Sequence, residues 1–391
     1  MSTRARLTAL FGVMAAVVAV VIVLALAARP AAVSAEPAAE IAVTAGMDDC
    51  GGGWGSGGKA PGGAAAFDVE NTAVGGLEVY LQAIDTQKVY LDLESIGAGA
   101  HAHARVTLGS GRYRFVCLPA DADPVRGPTV AVGPAPKGSA LTPGIVPVTR
   151  TDLIPAAQSY GAWVASRLPA LRRQVAAVAA DAEEGDSAAA RRDWLTAHTT
   201  YETLGGAYGA FGELGDAIDG LPNHGPTGFH AVEAPLFSGA PAATVVEPAQ
   251  ALVRDVDALI AAFPATQIDP GDMGLRAHEI VEDALRDVLG GAADAGSGTE
   301  LATVDATLTG TAQALAPLNG ILATRYPGLA ATQRSIATTQ QLVESFRGAD
   351  GTWTRLSSLT TAQREHVDAA LSETAELLAP VAAICDPRRD P

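Results

Sequence analysis

Two patterns of apolar and polar positions divide the chain. Between about Ile41 and Gly133 the two kinds of residue alternate in short runs, and Gly, Asp or Asn separates one run from the next. The clearest are "FDVEN" (Phe67 to Asn71), "LEVYL" (Leu77 to Leu81), "VYLDLE" (Val89 to Glu94), "HARVTL" (His103 to Leu108) and "YRFVC" (Tyr113 to Cys117). Alternation with period two sends every second side chain to one face of a strand, so residues 41–133 are expected to form a small β-sandwich. The Gly-rich stretch from Gly51 to Gly63 is expected as a flexible loop within it. Prolines and glycines recur from Gly133 to Pro155, which predicts a linker over 134–150. Beyond it, over 151–385, apolar residues fall three and four apart among Ala, Arg and Glu. That texture predicts an all-α helical bundle. Asp152 is expected to cap a helix running on from Leu153, and Asp186-Ser187 to start another. Further helices are expected near Val246–Phe263, Met273–Leu289, Thr299–Leu318, Thr332–Phe346 and Thr360–Ile384.

The first residues depart from both patterns. Arg4 and Arg6 precede an unbroken apolar run from Leu7 to Ala28, followed by the small residues Ala32-Val33-Ser34-Ala35. This is the layout of a secretory signal peptide over 1–35, cleaved after Ala35. The alternative is an uncleaved anchor tethering the chain through residues 7–28, since the run approaches the ~20 residues of a transmembrane helix. Either reading exports the remainder, so the expected location is extracytoplasmic: periplasm, cell envelope or medium. A net charge of −17 excludes a nucleic-acid partner, which would need clustered Lys and Arg. The same acidity suits a cation binder and many secreted proteins. In an oxidising compartment, two of the three cysteines, Cys50, Cys117 and Cys385, could pair and leave one over.

Four polar residues stand out in the helical half. Glu202 shares a helix with Trp194 and Tyr201, Asp219 lies in "ELGDAIDG", and His230 and Glu233 lie in "GFHAVEAPLF". His230 and Glu233 are three apart, so on a helix they leave one face a turn apart. That face also carries Phe229, Val232 and Phe237, which points the pair along an apolar interior. Burial of such groups is tolerable when carboxylates and imidazole share a cation. On spacing alone, a His-x-x-Glu is usually a surface pair. His198, four residues before Glu202, reads as a surface or supporting histidine rather than a ligand.

A resemblance sharpens this reading. "AHTTYETLGGAYGAFGELGDAIDG", then "TGFHAVEAPLF", then "AHEIVEDALRDVLGGAADAGSGTELATVDATL" resemble, in order, the imelysin-like domain of EfeO-type iron uptake proteins. The likeness runs from about Thr151 to Cys385. It extends upstream, where the family carries a cupredoxin-like domain. The fold implied is a small cupredoxin-like β-sandwich followed by an all-α imelysin-like bundle. The function implied is that of the extracytoplasmic iron-binding component of a bacterial elemental iron uptake system, a binder and not an enzyme. It would pass ferrous or ferric iron to a membrane iron permease working beside a haem peroxidase. By the same resemblance the metal site comprises Glu202, Asp219, His230 and Glu233, with Glu282 of "HEIVE" completing it; Glu279 shares that motif. Relatives usually carry a basic residue where this chain has Ala231, off the expected ligand face. Carboxylates with an imidazole and no thiolate make a hard site suited to iron or manganese, and zinc meets the same set.

For the β domain, the resemblance implies either metal binding through Cys50, Glu78 and Cys117 or a Cys50–Cys117 disulfide. A blue-copper centre is not expected, because no His or Met follows Cys117 to complete the ligand set. The runner-up function is an imelysin-like metallopeptidase. "HAVE" at His230 and "HEIVE" at His278 each lack the second histidine of the zinc peptidase motifs they approach. A polysaccharide-binding module ranks last in a chain with 5% aromatic residues.

Overall fold

The structure, a computed structural model, describes residues 39–222 and 225–389. The signal peptide or anchor expected over 1–35 lies outside the described residues. A β-sheet region is followed by a helical region, and the chain forms two compact units. One comprises the described residues up to Asp85 with Tyr90–Pro143. The other comprises Thr86–Val89 and the chain from Gly144 onward. The break at Pro143 falls within the Pro/Gly-rich stretch.

The strands are β1 (Ile41–Ala45), β2 (Cys50–Gly52), β3 (Lys59–Ala60), β4 (Gly63–Asn71), β5 (Leu77–Ala83), β6 (Val89–Ile96), β7 (His101–Leu108), β8 (Gly111–Pro119), β9 (Val125–Arg126) and β10 (Val130–Val132). They form a sheet ordered β2-β1-β4-β7 and a second ordered β3-β10-β8-β5-β6, with β9 paired to β8. Inward positions of both sheets share one core, including Val43, Phe67 and Val69 from the first and Val79, Leu81 and Phe115 from the second. The rings of Trp54, Phe67 and Phe115 meet edge to face, with centroids 5.3 to 5.7 Å apart, the arrangement aromatic quadrupoles favour. A Cys50–Cys117 disulfide bridges β2 and β8, so neither sulfur is a thiolate ligand. The stretch from Gly51 to Gly63, expected as a loop, supplies β2, β3 and a 3₁₀ turn instead. Its glycines let the backbone pack closely: Gly53 has φ +91, and a Cβ there would lie 2.2 Å from the Ala42 carbonyl oxygen.

In the second unit the longer helices are α1 (Arg150–Glu184), α2 (Ser187–Glu202), α3 (Glu213–Asp219), α4 (Gly228–Ser238), α5 (Ala243–Ala262), α6 (Asp272–Asp283), α7 (Glu300–Leu315), α8 (Leu329–Glu344) and α9 (Thr361–Cys385). Their apolar faces enclose one core that includes Tyr160, Trp194, Phe229, Leu252, Val281 and Leu308. The first helix begins three residues before Leu153. Thr149 accepts from the Asp152 backbone N–H while the Asp152 carboxylate accepts from the Thr149 N–H. Asp152 is thus the third helical residue of a capping box rather than the cap. Among the described residues no helix is long and apolar enough to cross a membrane.

Candidate metal centre

Three helices supply the polar cluster. On α2, Trp194, His198 and Glu202 are spaced four apart and so lie on one stripe. Trp194 is fully buried, its ring stacks on His198 at 4.8 Å, and its Nε1–H donates to the Phe229 carbonyl of α4 at 3.0 Å. These contacts fix α2 against α4. The Thr227 hydroxyl, just before α4, accepts from the Gly220 N–H at 2.9 Å and donates to the Asp216 carbonyl. That clasp holds the end of α3, with Asp219, beside the first turn of α4, with His230. Gly228 makes the approach possible. Its φ is +49, and a Cβ would lie 1.8 Å from the Ile218 carbonyl oxygen.

The cluster is buried. His198 and His230 have 4% and 2% of their side chains exposed, Glu202 and Asp219 12% and 13%. His198 Nε2 lies 3.3 Å from a Glu202 oxygen and 3.6 Å from Asp219 Oδ1, and His230 Nε2 lies 3.5 Å from that same Oδ1. His198, Asp219 and His230 each offer a ligand atom within 4.8 Å of the other two. Both His198 nitrogens and Asp219 Oδ1 are buried without a hydrogen-bond partner among the described residues. Buried polar atoms seldom remain so, and a cation between His198 Nε2 and Asp219 Oδ1 would satisfy both of those atoms.

Glu233 holds a different place. One carboxylate oxygen accepts from His230 Nδ1 at 2.8 Å and the other from the Ser297 N–H at 2.9 Å. The first bond puts the proton on Nδ1 and leaves Nε2 as the lone pair facing Asp219 and His198. Metal-bound histidines are commonly backed by a carboxylate in this way. Burial alone would raise the Glu233 carboxyl, but the hydrogen bonds from His230 and Ser297 outweigh it and hold it at about 2. Burial would likewise lower His198, yet Asp219 and Glu202 raise it to about 10. Burial raises Glu202, with Asp219 adding to the shift, whereas Asp219 is lowered, the two histidines overcoming burial.

A cavity of about 340 Å³ opens onto His198, Glu202, Asp219 and His230, room for an ion that keeps several waters at ~30 Å³ each. Asp216, Asp283 and Asp287 also line it, as does Arg286, which is paired with Asp283 at 2.6 Å and Asp287 at 2.8 Å. Part of the wall is the π-helical turn Ala284–Val288. Such turns are often found at functional sites.

The structure brings Glu202, Asp219 and His230 together and sets Glu233 behind His230, away from the cavity. It does not bring Glu282 to them. That side chain is half exposed on α6 and pairs with His278 at 3.3 Å, while Glu279 pairs with Arg276 at 2.8 Å. The residues of this segment that line the cavity are Ile280, Asp283, Ala284, Arg286, Asp287 and Val288, and Glu282 is not among them. His198, by contrast, is buried and lines the cavity rather than lying at the surface. Its signal is its position on the stripe of Trp194 and Glu202. No family model matches the chain, and a search of curated proteins finds no relative.

Proposed function

We propose that the helical unit captures iron, with His198, His230, Glu202 and Asp219 as ligands and Glu233 orienting His230. The observation that carries the reading is the convergence of His198, Asp219 and His230, each offering a ligand atom within 4.8 Å of the other two, with Glu202 3.3 Å from His198 Nε2 and with His198 Nε2 and Asp219 Oδ1 lacking a hydrogen-bond partner among the described residues. The donors are hard oxygen and imidazole nitrogen without thiolate, the class that suits iron. The cavity leaves coordination positions for water, as capture and release require. The resemblance of the helical motifs to EfeO-type proteins supports iron as cargo rather than as catalyst. It supports an imelysin-like reading of the helical unit and a cupredoxin-like one of the β unit. By the same reading the protein works outside the cytoplasmic membrane and delivers iron to a membrane permease, with a haem peroxidase in the same system.

The test is metal analysis of the full chain purified without chelator, joined to anomalous diffraction at the iron edge. The expected result is one iron per chain between His198 and His230. Another metal there, or none after incubation with iron, would overturn the assignment.

A further inference from the structure

The β unit carries a second set of imidazoles that iron capture does not use. His101 and His103 are two apart on β7, the edge strand of its sheet, so both leave the outer face. In register across the pair, His101 stands opposite Glu70 and His103 opposite Asp68. One strand further on, β1 pairs Ala42 with Asp68 in parallel, and Glu40 comes two residues earlier, on the same face. This face therefore gathers two histidines and three carboxylates.

Their contacts are ordered. His101 Nδ1 meets Asp68 Oδ1 at 2.9 Å and His103 Nδ1 meets Glu40 Oε2 at 3.0 Å, with the same Asp68 oxygen 3.7 Å from His103 Nδ1. Each carboxylate holds the proton on Nδ1 and so turns the lone pair of its histidine onto Nε2. The two side chains are 49% and 60% exposed, so a cation from solution can reach the pair. A carboxylate behind an imidazole raises its basicity toward a metal.

We propose that His101 and His103 form a surface chelate for a nitrogen-preferring divalent transition-metal cation, with Asp68 and Glu40 as positioning residues. The Irving–Williams order places Cu(II) first among such cations, so Cu(II) is the probe. The disulfide removes Cys117 as a ligand, so the bound Cu(II) is an imidazole and water site without the intense visible band of a copper thiolate. Water fills the remaining positions.

The full-length protein, wild type and His101→Gln/His103→Gln, is titrated with Cu(II) and followed by electron paramagnetic resonance. Both substitutions lie at half-exposed or more exposed positions, and circular dichroism and thermal unfolding check that the fold is kept. The double variant is expected to bind one Cu(II) fewer and to lose an axial signal split by two imidazole nitrogens. Copper that remains reports the helical cluster. Asp68→Asn, which keeps both imidazoles, is expected to weaken the surface site about 10–100-fold. An unchanged stoichiometry and an unchanged spectrum in the double variant would overturn the proposal and leave the iron site untouched.

Discussion

Glu202 and Glu233 are both buried glutamates near His230, yet they act differently. Glu202 faces the cavity, whereas both Glu233 oxygens are taken by N–H donors. Glu233→Gln should therefore keep the helical unit folded but loosen His230. We expect iron affinity to fall about 10–100-fold, the range for carboxylates that support a metal-bound histidine, by calorimetry with circular dichroism as the control. Spacing could pair His230 with Glu233 but not assign their roles, because which oxygen meets which donor depends on Ser297, 64 residues away. The burial of His198 is not legible in spacing for a similar reason: it follows from α4 and α3 closing over the stripe of Trp194. Cys385 gives a separate residue-scale test. Burial raises its thiol to about 11, so the folded protein resists ionisation while the unfolded chain ionises near 9. The neutral thiol favours the fold at lower pH, and that preference is lost as pH rises from about 9 through 11. Native protein should show no reactive thiol at pH 8, and denatured, unreduced protein one per chain. Three thiols after denaturation would remove the disulfide.

At the scale of elements, the Thr227 hydroxyl clasps the end of α3 to the start of α4 beside the site. Thr227→Val removes both hydrogen bonds of its hydroxyl at an exposed position. At about 0.5–1.5 kcal/mol for a typical hydrogen bond, the helical unit should stay folded with a modestly lower melting temperature. Asp219 would no longer be held beside His230, so iron affinity should drop while total helicity stays within a few per cent. The longer helices were legible because their apolar periodicity runs over many turns: Val246–Phe263 was expected and Ala243–Ala262 is seen. The strands with clear alternation were legible as well. Hidden from the pattern were β1 to β3, whose partners are remote in sequence or whose Gly-rich backbone lacks alternation. So was the start of α1, where the capping box sits inside a stretch crowded with prolines.

At the scale of the whole molecule, each unit has its own means of stabilisation. The β unit is closed by a disulfide spanning 67 residues, and loops of that length give roughly 4 kcal/mol in the chain-entropy account. Reduction should lower the unfolding temperature of the β unit and leave helical ellipticity at the same temperature unchanged. The helical unit carries the buried cluster, and a ligand that binds only the folded form stabilises it by mass action. Iron should thus raise the melting temperature of the helical signal. The effect should shrink as pH falls, because protons compete for the carboxylates and imidazoles. The central claim, that this cluster is an iron site, is tested most directly by iron titration calorimetry of the full chain. Wild type is compared with His230→Ala and with Glu282→Ala, all checked for equal helicity. His230→Ala is expected to lose more than about 100-fold in affinity, beyond the range of supporting residues, and Glu282→Ala to match wild type. Equal iron affinity in wild type and His230→Ala would contradict it.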